Sequence, residues 1–181
     1  VNKKQISTDP STSHHKEIMM AIYMKLDGLN GNVTTQGYEN WIECMDITFS
    51  GISSHIQQEI GNDMDRIMNH PKFGDITIIK ALDRSSIALF EHAHSRKAFS
   101  QVEIHNVNTS DPIFTYAKLI LKNAIVSHYS EFNSTTLHAK PYEHITFSYT
   151  AIEKTYIPKN PDNSSGSPLI SGYDLSQGEA L

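Results

Sequence analysis

From position 20 to 157 the chain repeats a two-residue alternation of apolar and polar side chains, and this constrains its fold more than any other feature. Successive side chains of an extended strand point to opposite faces, so this period means strands with one buried face. Residues 20–27 place Ile22, Met24 and Leu26 on one side and Tyr23, Lys25 and Asp27 on the other. Residues 41–49 group Met45, Ile47 and Phe49, and residues 99–107 set Val102 and Ile104 against Gln101, Glu103 and His105. Residues 113–121 align Ala117, Leu119 and Leu121, a further strand covers 124–132, and residues 143–157 carry Ile145, Phe147, Tyr149 and Ala151 on one face. Residues 75–82 form instead a nearly continuous apolar run, the pattern of a strand covered on both faces. Strands joined by turns rich in Gly, Asn and Asp predict a mainly β domain, a barrel or a sandwich.

Two segments break the period. Residues 83–97 open with Asp83, which can accept from the free amides of a first helical turn, and Ile87, Phe90 and Ala93 then follow helical spacing. One short amphipathic helix on an otherwise β domain is expected. Residues 57–74 are too long for a hairpin turn and hold Met64, Ile67, Met68 and Phe73 among Gly61, Asn62, Pro71 and Gly74. Apolar side chains in a long ordered loop need burial, against their own domain or against a neighbouring subunit.

The ends differ in character. Residues 1–18 are polar, lack both alternation and a signal-peptide apolar core, and read as a flexible leader, with the natural start expected at Met19 or Met20. Residues 158–181 are rich in Pro, Ser and Gly and read as a polar tail docked by Leu169, Ile170 and Tyr173. The folded unit is therefore 19–157, an ordinary domain size. Its core is affordable for a chain of 181 residues that is 38% hydrophobic. A net charge of −5 argues against unaided binding to nucleic acid or anionic membrane. No apolar run approaches the roughly 20 residues of a membrane-spanning helix.

Catalytic and metal-binding patterns are weak. His14 and His15 lie in the leader, and on a helix His92 and His94 diverge by about 200°, too far to share one ion. His55, His105, His128 and His144 fall on strands without a partner at ligand spacing and read as polar-face or interface residues. Gly51-Ile52-Ser53-Ser54-His55 begins like a nucleophile elbow but lacks its second glycine. Cys44, the single cysteine, lies in an apolar strand with no arranged base and reads as an inert core thiol, and no phosphate loop or dinucleotide fingerprint occurs. No catalytic residue, cofactor or metal is expected, and the chain does not read as an enzyme.

The order of the pieces resembles the haemolysin-coregulated protein (Hcp) family, tube components of bacterial type VI secretion systems. The resemblance starts with Ile22-Tyr23-Met24-Lys25-Leu26-Asp27-Gly28-Leu29-Asn30-Gly31 and Trp41-Ile42-Glu43. It continues through Asp83-Arg84-Ser85-Ser86, Leu89 and Ser95-Arg96-Lys97-Ala98-Phe99. Tyr116-Ala117-Lys118-Leu119, Val126-Ser127-His128-Tyr129-Ser130 and Glu143-His144-Ile145-Thr146-Phe147-Ser148-Tyr149 complete it. Two departures stand out: Asp63-Met64-Asp65-Arg66-Ile67-Met68 replaces a glycine-rich stretch common in the family, and Arg96 takes the place of a glycine often found after the helix.

The resemblance implies a closed antiparallel β-barrel of two packed sheets with one short α-helix. It also implies a structural subunit that forms homohexameric rings, stacked into a hollow tube. The implied partners are other copies of the chain, a valine–glycine repeat spike protein, a contractile sheath and effector cargo in the lumen, with no nucleic acid and no membrane. The implied route runs from the bacterial cytoplasm to secretion without a signal peptide. Met64, Ile67, Met68 and Phe73 are the expected subunit or ring interface. The competing reading is a monomeric secreted effector or a small-ligand-binding β-barrel.

Overall fold

The computed structural model describes residues 20–54, 56–58, 66–68, 70–133, 140–162 and 164–181. The first half of the chain supplies β1 (Met20–Leu26), β2 (Ile42–Cys44), β3 (Asp46–Phe49), β4 (Ile52–Ser53), β5 (Ile56–Gln58), β6 (Arg66–Met68), β7 (Lys72–Phe73) and β8 (Ile76–Ala81). Helix α1 (Ser86–Ser95) follows, then β9 (Phe99–Asn108), β10 (Phe114–Phe132), β11 (Tyr142–Ser148), β12 (Ala151–Tyr156), β13 (Leu169–Asp174) and β14 (Glu179–Ala180). The domain is mainly β with one short helix, as the alternation requires.

Strand β10 organises the pairing. Its first part lies between β9 and β12, and its second part pairs with β11. From there one path runs β11–β8–β3 and the other β9–β1–β2, all antiparallel. Two strands were expected where β10 is one of 19 residues. The junction is Asn123, which takes a positive φ of 47° and turns the strand without ending it. The reverse holds for residues 143–157, where one expected strand is split into β11 and β12 around Tyr149 and Thr150. Barrel closure is not among the hydrogen-bonded pairings of the described residues, whose paths end at β2, at β3 and at β14.

The inward faces meet in one core. Met24, Leu26, Ile42, Ile104 and Leu121 from one set of strands pack with Ile76, Ile78, Ile145 and Phe147 from the other, and all are essentially inaccessible. Of the three residues grouped in 41–49, Met45 and Phe49 are exposed and Ile47 alone packs on the core. Ile42 and Cys44 face the core, Met45 is exposed, and Ile47 packs inward again, so the chain changes parity between β2 and β3. Tyr23, placed by alternation on the polar side, is buried with Tyr38 and Val107, because segment 27–41 covers that outer face.

Helix α1 turns a different face inward from the one expected. Ser86 and Leu89 are buried and Ala93 packs on the core, while Ile87 and Phe90 are 78% and 52% exposed. Residues 158–181, expected as a tail, contain β13, which pairs with β12 over six residues and carries β14 at its far edge. Tyr173 packs against the core, but Leu169 and Ile170 are exposed, since this edge extends beyond the core. The helix ends at Arg96 in the left-handed region, φ 56°. An L side chain there costs about 1–2 kcal/mol, a cost that glycine would avoid. Arg96→Gly is expected to stabilise the fold by up to about 1 kcal/mol after the extra freedom of the unfolded chain is subtracted, measured by chemical denaturation.

Candidate assembly surface and the polar network behind it

Alternation carried one step further along two strands leads to an ion pair. Ile76, Ile78 and Lys80 share the inward face of β8, and Glu143, Ile145 and Phe147 share that of β11. The register sets Glu143 opposite Lys80. Both side chains are fully buried, and the Lys80 Nζ donates to Glu143 Oε1. Asp83 Oδ1 at 2.7 Å, Ser86 Oγ at 3.2 Å and the Ala81 carbonyl at 3.1 Å are also within its reach, so its three protons are shared among four acceptors.

A buried charge is tolerable only when paired and hydrogen-bonded, and the surrounding groups meet that condition. The Ser86 hydroxyl donates to Glu143 Oε1 at 3.0 Å and accepts from the Asp83 amide. Asp83 Oδ1 accepts from the Ser85 amide at 2.9 Å. The Tyr129 hydroxyl lies 2.7 Å from both Glu143 Oε2 and Glu131 Oε1. Burial first, then these two carboxylates, push its pKa above the ordinary tyrosine range. Asp83, expected to cap the helix, therefore anchors its approach to Lys80, and the N-cap position is Ser85. Among the described residues no buried side-chain nitrogen or oxygen lacks a partner.

Of the residues expected at an interface, those that are described lie on two short two-stranded ladders, called here the arm. Ile52 pairs with Phe73, Ser53 with Lys72, Ile56 with Met68, Gln57 with Ile67 and Gln58 with Arg66. The segment read as a long loop is thus a two-stranded ribbon in its described parts. Ile67 and Met68 lie on β6, Phe73 lies at the root on β7, and Met64 is outside the described residues. Phe73 is half-buried and stacks on Tyr173, with ring centroids 4.9 Å apart and planes at 23°.

The other candidate residues are dispersed. His92 stacks on Phe99 at 4.1 Å and His94 lies edge-on to Phe90 at 5.4 Å, so the two rings have separate partners. Cys44 is buried, and loss of solvation raises its thiol to about 12, which leaves it protonated and unreactive at neutral pH. No group of three or more potential metal ligands occurs among the described residues. None of their helices is long and apolar enough to cross a membrane.

The family model described as "Type VI secretion system effector, Hcp" matches residues 23–156. The chain belongs to the Hcp family. It is a structural subunit of the type VI secretion tube. Among solved structures it is similar to one titled "Structure of a type six secretion system protein", with 21% identity, a TM-score of 0.83, and coverage of 90% of this chain and 100% of that one. It is also similar to Hcp1 from Salmonella typhimurium, at 19% identity and a TM-score of 0.71, covering 90% of this chain and 99% of that one. For the secreted protein Hcp3 from Pseudomonas aeruginosa the values are 18% and 0.53, covering 86% of this chain and 98% of that one. No curated protein matches the sequence.

On the outer face of β1 and β9, this Hcp protein carries a second polar cluster that sequence reasoning did not assemble. The Tyr38 hydroxyl reaches His105 Nδ1 at 3.1 Å and bonds Thr115, and His105 Nε2 lies 2.7 Å from Glu103 Oε1. Trp41 leans on the His105 ring at 4.8 Å. These contacts pin segment 27–41 to the strands beneath it. The hydrogen bond from His105 is the main reason the Glu103 carboxyl titrates below its ordinary 4.5, against the opposing effect of burial.

Because the folded-state value of Glu103 is depressed, its stabilising contribution is whole above the unfolded value and is lost as pH falls through the folded one. Glu103→Gln is expected to flatten that acid limb of the stability curve, read by denaturation at stepped pH. In the core, Lys80→Met alone is expected to cost about 3–5 kcal/mol by stranding Glu143, and the double variant Lys80→Met with Glu143→Leu to recover part of it, as denaturant titration would measure.

Proposed function

We propose that six copies of this tube subunit close into a ring, that rings stack through the β4–β7 arm, and that the stack is the conduit of a contractile secretion machine. In this reading the barrel of each subunit is closed. Closure is supported by the continuity of β2 and β3, which are separated only by Met45, whose amide donates to the Ile79 carbonyl at 2.7 Å. β1, the partner of β2, and β8, the partner of β3, stand on the two branches that spread from β10. A sheathed tube tipped by a valine–glycine repeat spike, loaded in the bacterial cytoplasm and expelled with effectors in its lumen, follows from the family. It requires no catalytic residue, cofactor or metal.

The arm is the observation that carries the ring-contact reading. Among the described residues β4 pairs only with β7 and β5 only with β6. A two-stranded ribbon by itself is marginal in water, and the sequence of this one supplies Ile56, Ile67 and Met68 as apolar residues for a neighbouring copy to cover. Met64, Ile67 and Met68 form the contact, with Phe73 at its root. The alternative of a ligand-binding barrel is disfavoured by the interior, which Met24, Leu26, Ile78, Ile104, Leu121, Ile145 and Phe147 occupy.

Negative-stain electron microscopy of the purified chain is expected to show six-fold rings with open centres, whereas monomers at high concentration would return the ligand-binding reading. Ile67→Asp or Met68→Asp is expected to leave the subunit folded and weaken assembly, because an unpaired charge buried at a contact costs several kcal/mol. Rings and stacks unchanged in both variants would remove the arm from the contact.

A further inference from the structure

We propose that the C-terminal hairpin β13–β14 is a clasp that sets the direction of the arm, so that the end of the chain controls the contact made by β4–β7. This rests on the arm's role as the ring contact. The arm leaves the β3–β8 ladder through backbone hydrogen bonds from the Ser50 amide to the Asp75 carbonyl at 3.2 Å and from the Gly74 amide to the Gly51 carbonyl at 2.8 Å. Beyond them only Ile52 with Phe73 and Ser53 with Lys72 form its β4–β7 pairing, and Ile52 is largely exposed. A ribbon of two strands gains stability from packing on a further element, and here that packing comes from elsewhere in the chain.

The hairpin reaches the root from the far side of β12. β13 pairs with β12 from Tyr156↔Leu169 to Ala151↔Asp174, which delivers Tyr173 flat against Phe73, the last residue of the arm. Beyond it the Leu175 amide donates to the Thr150 carbonyl at 2.8 Å, and Leu175 packs on the core. The turn is rigid: Asp174 Oδ1 accepts from the amides of Ser176 and Gln177 at 2.8 and 3.1 Å, and Gly178 takes a φ of 75°. His70 and Gly178 line the same cleft on this side. The hairpin therefore meets the arm's return strand at Phe73.

Tyr149 closes the same corner from the β11–β12 turn by donating to the Gly74 carbonyl at 2.8 Å. A Cβ on Gly74 would come within 2.6 Å of the Ser50 side chain, so the two hydrogen-bonded legs leave no room here for a side chain on Gly74. Beside these contacts lies an open cleft of about 590 Å³, lined by His70, Lys72, Phe73, Tyr173 and the hairpin turn. The stack on Phe73 is the hairpin's aromatic contact with the arm, which makes Tyr173 the positioning residue.

The test compares Tyr173→Ala with Tyr173→Phe, which keeps the ring and loses only the hydroxyl. Hydrogen exchange at the amides of 52–53 and 72–73 is expected to rise about tenfold in Tyr173→Ala and to stay at the wild-type rate in Tyr173→Phe, with β1 and β9 unchanged in both as a control for folding. By electron microscopy Tyr173→Ala is expected to form rings but several-fold fewer stacks. Unchanged exchange at the arm root in Tyr173→Ala overturns the clasp, and so does faster exchange with normal stacking, which would uncouple it from assembly. Failure of the ring-contact reading shows separately, as normal stacking in Ile67→Asp with a wild-type clasp.

Discussion

One ion pair inside the domain, between Lys80 and Glu143, constrains everything built around it. The cost of withdrawing two charges from water is offset only if every remaining proton and lone pair is met, and each of those demands fixes another element. The cross-strand register of β8 and β11 places the pair, Ser86 ties the start of α1 to it, Asp83 ties the preceding turn, and Tyr129 ties β10. A slip of one residue in either strand would turn a charge outward and strand its partner. Such a network contributes more to the choice of one register than to raw stability.

Where alternation is unbroken, the fold is legible in the sequence. Met24, Leu26, Val102 and Ile104 lie inside as their parity requires. The reading fails where the backbone does something that side-chain polarity does not encode. Met45 is apolar and would extend either face, but the chain changes parity around it. Asn123 reads as a turn residue and instead bends a continuous strand, whereas Tyr149 and Thr150 look like strand and separate two. In the helix, Ile87, Phe90 and Ala93 have acceptable spacing, but the core takes the face with the small Ser86, because the ion pair needs its hydroxyl.

The candidate site divides in the same way. Lys80 and Glu143 were available from parity alone, each two residues from a buried isoleucine, and were passed over because charge suggests exposure. The apolar content of the arm was visible, but its ribbon pairing was not, since both legs are short and interrupted by polar residues. The hairpin was hidden for a related reason. A segment rich in Pro, Ser and Gly looks structureless until an open strand edge, here β12, offers backbone partners that do not depend on side-chain pattern.

Strand β10 has a consequence for how the domain bears force. Its backbone runs unbroken from the β9–β12 side of the core to the β11–β8 side. Tension between the two sides therefore travels along covalent bonds, and separating them means shearing ladders lengthwise, with many hydrogen bonds strained together. Peeling, which breaks such bonds one at a time, has no free end of β10 to start from inside the core. A subunit built into a tube is well served by a single strand threading both sides.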